Sequence, residues 1–341
     1  MFKGLFDLQI RLDRLDKNTD PLAKLNAMID WELFRPTLAI LCNKPRKSNA
    51  GAKGYDKLVM FKALILQSLY NLSDEQLEYQ ILDRLSFSRF LGIHLGGKVP
   101  DFSTVWRFRE ALTESGLERK LFDQFDSYLR LHGFEARCGQ IVDASIVQTP
   151  KQRNTRQENE KIKKGQADEV RKDWSEAKNA QKDTDARWTK KNSKNYFGYK
   201  NHIQVDVKHK FIRDYDVTAA NVHDSQVFET LLDSENTSAD VFADSAYRSE
   251  ETLGKLESWG YREHIQRKGS RGRALTAWEK QGNHTRSKIR SRVEHIFGVQ
   301  AMKMGDRILR RIGQARARCN IGLRNLAYNI DRYAMLTTAS G

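Results

Sequence analysis

The chain has 341 residues, 39% of them hydrophobic and 10% aromatic, and its 59 Lys and Arg outweigh 44 Asp and Glu to give a net charge of +15. That content excludes a disordered tail and allows one large or two ordinary domains, while the positive excess points to a polyanionic partner, of which nucleic acid is the commonest. Cys42, Cys138 and Cys319 lie too far apart for a zinc ribbon or a disulfide framework, and no apolar run approaches the ~20 residues of a membrane span, so a protein of the reducing cytoplasm is expected.

Residues 1–130 read as helical. Tyr55 to Tyr70 is apolar enough for a buried helix, and Ser73-Asp74-Glu75-Gln76 opens the next with a capping-box pattern. After the breakers Gly96-Gly97 and Pro100, Asp101-Phe102-Ser103 starts a further helix that reaches Leu112. Its early turns carry Ser103, Thr104, Arg107 and Arg109, which suits a helix-turn-helix contacting DNA; the plainer alternative is a bundle with Trp106 and Phe108 in its core.

From Gly139 the texture changes to short β-branched runs. Ile141 to Val147, Tyr196 to Val207 and Phe211 to Thr218 look like successive strands. Between the first two, residues 151–195 hold 14 Lys and Arg and 8 Asp and Glu with few aliphatics, which reads as a mobile, solvated loop with Trp188 as an anchor. A helix over Asp224 to Leu232, a strand over Asp240 to Ala243, a helix over Ser249 to Trp259 and a strand over Tyr261 to Gln266 follow. Strands in a meander and then alternating with helices imply a mixed α/β layer.

Most of the positive charge gathers late. Arg262 to Arg318 contains 16 Lys and Arg against 4 Asp and Glu, which supplies +12 of the total. Within it Arg286 to Gly298 reads as a helix, with Arg286, Arg290 and Glu294 on one stripe and Ile289, Val293, Ile296 and Phe297 on another. Glu294 is either the partner of Arg290 in an intrahelical ion pair or a carboxylate that holds metal beside a phosphate backbone.

Two further acids stand where a carboxylate is costly to bury: Asp143 interrupts Ile-Val-Asp-Ala-Ser-Ile-Val, and Asp244 ends Val241-Phe242-Ala243. An arginine or lysine would satisfy either one. Convergence of Asp143, Asp244 and Glu294 would instead require divalent metal, because carboxylates about 4 Å apart repel by roughly 4 kcal/mol at an effective dielectric near 20. Magnesium or manganese suits such an all-oxygen set. After Asp244, Tyr247 and Arg248 suit stacking on and gripping a terminal base, or a tyrosine packed under the strand end. His202 and His223 read as structural.

These residues resemble the DDE transposases of prokaryotic insertion sequences, most closely the insertion sequence five family, over nearly the whole chain. YNLSDEQLEYQILDRLSFSRFLGI and VPDFSTVWRFREAL carry the likeness in the N-terminal part. IVDASIV, DTDARWTKKNSKNYFGYKNHIQVD, VTAANVHDSQ, VFADSAYRS and IRSRVEHIFG carry it beyond. The resemblance implies a helical DNA-binding domain over 1–130 and an RNase H-like catalytic domain over 136–335, with 151–195 as a basic insertion. It places Asp143, Asp244 and Glu294 on a metal-binding triad for two Mg2+ or Mn2+ ions, and Arg290 on the arginine of a Tyr-Arg-Glu-Lys signature. That signature's tyrosine falls on Ser287 and its lysine on Ala301, with Lys303 nearby. Lys288, Arg292 and Lys303 are then further candidate DNA contacts. Implied partners are the inverted repeats of the protein's own element, target DNA and a second copy of the chain, near the nucleoid. A nuclease without strand transfer, or a regulator derived from a transposase, would carry the same motifs.

Overall fold

The computed structural model describes residues 7–18, 20–41, 54–94, 96–270, 272–305 and 308–339; Cys42 lies outside them. The chain forms two compact units, Met1–Phe125 with Leu323–Gly341, and Asp126–Gly322. The breaks fall inside two helices, Leu117–Leu131 and Gln314–Ala339. The expected catalytic domain ran to residue 335; in the structure the segment from Leu323 onward groups with the N-terminal unit.

That first unit is helical. It contains α1 (Asp7–Lys17), α2 (Pro21–Met28), α3 (Arg35–Ala39), α4 (Lys57–Tyr70), α5 (Asp74–Asp83), α6 (Leu85–Leu91), α7 (Phe102–Ser115) and the start of α8 (Leu117–Leu131). Its core is aromatic, with Phe34 against Phe61 at 4.8 Å and Trp31 edge-on to Phe90 at 5.3 Å. Helix α4 is buried on nearly every face, as its composition required. The Ser73–Gln76 capping box forms at the head of α5, and the Asp101 carboxylate caps α7 by accepting from the Thr104 amide at 2.7 Å.

The inward stripe of α7 differs from both sequence readings. Val105, Arg109 and Leu112 face the core, whereas Trp106 is half exposed. Arg109 is only 3% exposed and makes a two-pronged ion pair with Asp74, both bonds 2.7 Å, plus a bond to Gln67 at 3.1 Å. A guanidinium held this way ties α7 to α5 and does not face DNA, which corrects its reading as a contact. Arg107 is exposed and donates to the Ser103 hydroxyl at 3.0 Å.

The second unit is built on a mixed sheet. Its elements are β1 (Gln140–Gln148), α9 (Arg156–Lys163), α10 (Ala167–Lys172), α11 (Glu176–Gln181), β2 (Arg187–Lys191), β3 (Lys194–Asp206), β4 (Ile212–Ala219), α12 (Ser225–Phe228), β5 (Asp240–Ala243), α13 (Glu250–Ser258), β6 (Arg262–Ile265), α14 (Ala277–Lys303) and the start of α15 (Gln314–Ala339). Among the described residues the order is β2-β3-β1-β5-β6, with β4 also on β3. The long β3 pairs antiparallel with β1, and along its other edge takes first β2 and then β4. β1–β5 and β5–β6 are parallel. Val142, Val241, Ala243, Phe228, Leu256 and Ile265 pack between sheet and helices.

Gly198 is where β3 comes closest to β1 among the described glycines. Its φ is +154°, and a Cβ there would fall 2.2 Å from the Val147 carbonyl oxygen, so only glycine lets β3 lie this close to β1. The turn out of β3 is fixed by ions: buried Arg213 pairs with Asp206 at 3.0 Å and Asp126 at 2.8 Å.

The expected mobile loop at 151–195 is largely structured. Helices α9 to α11 close over Ile162, Val170 and Trp174, and the Trp174 indole donates to Glu158 at 2.7 Å. Lys178 lies 4.7 Å from the same ring and bonds Glu158 at 2.7 Å. Trp174, and not the half-exposed Trp188, is thus the anchor. Among the described residues no helix is long and apolar enough to cross a membrane.

Candidate active site

Strand pairing brings two of the three acids together. In the parallel β1–β5 pair Val142 stands opposite Ala243, so Asp143 and Asp244 occupy the next positions along two strands whose spacing is ~4.8 Å. Asp143 remains within β1 because β3 still pairs with it there, across from Ile203. Asp244 has left β5: it caps the turn Ser245–Tyr247, and its carboxylate accepts from the Ser245 amide. The acids are therefore anchored differently, one on a strand and one on a cap.

Helix α14 brings the third. It packs against β1 and β5 through buried Val293 and Ile296, which turns Arg290 and Glu294 toward the strand ends. The Arg290 guanidinium bonds Asp143 at 2.7 Å and Glu294 at 2.6 Å. The intrahelical pair expected from the i, i+4 spacing is present, and the same arginine also reaches across to the sheet. Asp143, Asp244, Glu294, Arg290, Lys191 and Tyr196 line one open cleft of about 610 Å3.

The electrostatics follow from burial. Desolvation raises the pKa of Asp143, the Arg290 cation opposes that rise, and the Asp244 charge adds to it. Three carboxylates thus share a cleft in which one guanidinium is bonded to two of them. Among the described residues no group of three or more His, Cys, Asp or Glu is arranged to hold a metal ion. The three acids form a cluster on this cleft in which Arg290 bridges Asp143 and Glu294. The donors still fit a hard divalent cation, since all are carboxylate oxygens and the acids outnumber their bonded cation.

The other candidates scatter. Tyr247 is 2% exposed, its hydroxyl buried without a hydrogen-bond partner, and its pKa is raised well above the usual value by burial and then by Asp143. Its ring packs 5.1 Å from Phe228, so it lies under the strand end and is not a stacking surface for a base. Arg248 pairs with Glu263 at 3.1 Å. Arg292, two residues beyond Arg290 and hence ~200° round the helix, donates to the Val207 carbonyl and faces away from the cleft. Lys288 and Lys303 are exposed on α14. Ser287 accepts from the Gln266 side chain at 2.6 Å, which fastens α14 to the chain leaving β6. His202 is fully buried against Thr218 at 2.8 Å, and His223 is exposed.

Sequence reasoning missed Lys191, Asn192 and Tyr196. They surround the β2–β3 turn, where Asn192 and Ser193 both have positive φ, at 49° and 63°. A two-residue hairpin of this type has a recognisable turn signal, but its strand β2 is mostly charged and exposed and showed no apolar alternation.

A family model described as a transposase DDE domain matches residues 135–330, and another described as a transposase domain matches residues 10–111. The chain is also similar to a chain in the cryo-EM structure of a piggyBac transposase synaptic complex with hairpin DNA. The TM-score is 0.44 and the identity 11%, over 93% of this chain and 73% of that one.

Proposed function

The chain belongs to the transposase DDE-domain family, and on that premise we propose that it cuts DNA at the inverted repeats of its own insertion element and joins the freed ends to target DNA. The reading assigns the second unit an RNase H-like fold of the insertion sequence five type. The observation that carries it is the adjacency of Asp143 and Asp244 on neighbouring parallel strands, with Glu294 on the same cleft.

Asp143, Asp244 and Glu294 would hold two Mg2+ or Mn2+ ions. Such ions, when bound, supply activation of the attacking oxygen and stabilisation of the leaving one. In the first step a water oxygen attacks the scissile phosphorus, the P–O3′ bond breaks, and a 3′-hydroxyl is freed on the element. In the second, that hydroxyl attacks a target phosphodiester and displaces the target's own 3′ oxygen. Arg290 bonds Asp143 and Glu294, two of the acids that would hold the ions, and its guanidinium, once freed from them, would bond a phosphate oxygen. Lys191 and Tyr196 line the same cleft and help hold the backbone. Two copies of the chain act together on two DNA ends.

The test is Asp143→Asn, assayed with Mg2+ on duplexes taken from the DNA flanking the coding region. Cleavage and joining should be lost while DNA binding persists. A clean variant preparation that still cuts would remove Asp143 from the reaction, and cutting without joining by the wild type would reduce the protein to a nuclease.

A further inference from the structure

We propose that a second cavity, at the head of α14, binds a phosphate of the same DNA duplex, an inference that rests on the reading of the chain as a DNA-cutting enzyme. The cavity has a volume of about 340 Å3 and is lined by Arg248, Arg267, Lys268 and Arg273, with Glu279 among them. The charges do not balance. Glu279 is occupied at the helix cap, accepting from the Thr276 amide at 2.9 Å and its hydroxyl at 3.1 Å, and it faces Arg267 and Arg273 only at 3.4 and 3.6 Å. Arg248 is answered by Glu263, whereas Lys268 extends from the surface. The Arg267 Nε atom is buried without a hydrogen-bond partner, and its guanidinium lies 5.0 Å from the ring of the exposed Trp278. A site with a surplus of donors and positive charge is suited to a phosphate group.

Its walls are fastened to the helix that also serves the acidic cleft. The Asn283 side chain accepts from the Arg267 amide at 2.9 Å and donates to its carbonyl at 2.8 Å, Gln266 bonds Ser287, and Arg290 bonds Asp143. Residues 279, 283, 287, 290 and 294 therefore form one stripe of α14 running from the basic cavity to the acids. Glu294 stands fifteen residues beyond Glu279, which is ~22 Å along the axis, the length of about six to seven base pairs. A duplex laid along α14 spans both sites, and a free nucleotide does not.

The experiment measures affinity of the whole protein for a short duplex of arbitrary sequence as salt is raised, comparing wild type with Lys268→Ala/Arg273→Ala. Both side chains are exposed, so the variant should fold, as circular dichroism will check. The lost phosphate contact reduces the salt slope by about 0.9, so from about 50 to about 200 mM salt the variant should lose about 3.5-fold less affinity than wild type. Arg137→Ala/Lys208→Ala, which removes two exposed cations from the turns before β1 and after β3, should keep the wild-type slope. An unchanged slope in the first variant, or an equal change in the second, overturns the proposal. So does capture of inorganic phosphate by the cavity with no change in the duplex slope. The basic cavity is read from the salt slope of duplex binding and the catalytic proposal from Mg2+-dependent cleavage by the wild type, so the two stand or fall on separate readouts.

Discussion

Arg290→Gln should make the metal-free protein bind Mn2+ more tightly. The guanidinium is bonded to two of the acids that a cation needs, and side-chain exposure shows which bond matters: Asp143 and Arg290 are 16% and 19% exposed, but Glu294 is 57% exposed. The shielded bond is a charge-assisted hydrogen bond of ~1.5–3 kcal/mol, and the exposed pair adds ~0.3–0.5 kcal/mol. An incoming cation must displace both. Glutamine keeps a neutral donor of similar reach, so most of that ~2–3 kcal/mol no longer opposes binding, and affinity should rise by about 30- to 150-fold at ~1.4 kcal/mol per decade. Isothermal titration with Mn2+, without DNA and in mildly alkaline buffer, gives the number. An unchanged affinity would show that Arg290 does not compete, and a weaker one that it aligns the carboxylates for metal. Cleavage by the same variant should fall, because the proposed phosphate grip is gone.

Arg109→Leu should destabilise the helical unit by ~3–5 kcal/mol, since it leaves the part-buried Asp74 without its cation; urea unfolding measures the loss. Were Arg109 instead a DNA contact, stability would hold and the salt slope for DNA would drop by about 0.9. Burial lowers the His202 pKa to about 4, against the opposing pull of Asp224, with Lys200 adding to the fall and Asp216 opposing it. The folded value lies below the unfolded one near 6.5, so the unfolded chain takes up the proton first, and stability should fall as pH drops from ~6.5 toward ~4. His202→Gln should flatten the urea midpoint across that window, and an unaltered pH profile would assign the loss to another group.

The acids were legible because a carboxylate inside a β-branched run is conspicuous. Asp143 and Asp244 needed only the parallel pairing of β1 and β5 to become neighbours. The Arg290–Glu294 pair followed from helical spacing, but the reach of Arg290 to Asp143, 147 residues away, is a tertiary fact with no local trace. Arg109 misled for a similar reason: an arginine on an early helical turn suits DNA as well as it suits Asp74, 35 residues earlier, and only packing decides between them. Tyr247 was ambiguous because strand ends bury some aromatics and expose others. In residues 151–195 three apolar side chains, Ile162, Val170 and Trp174, suffice to organise three short helices, too faint a pattern among so many charges to show as periodicity.

Gly198 lies within the strand that borders β1, the turn beside Lys191 and the insertion packed beyond it. Every rearrangement of that hairpin is consequently felt at a point with no room for even a methyl group. Asp143 sits on the strand held this closely, so under the proposed function DNA would adapt to its carboxylate, whereas Asp244 is held by a cap and Glu294 is exposed.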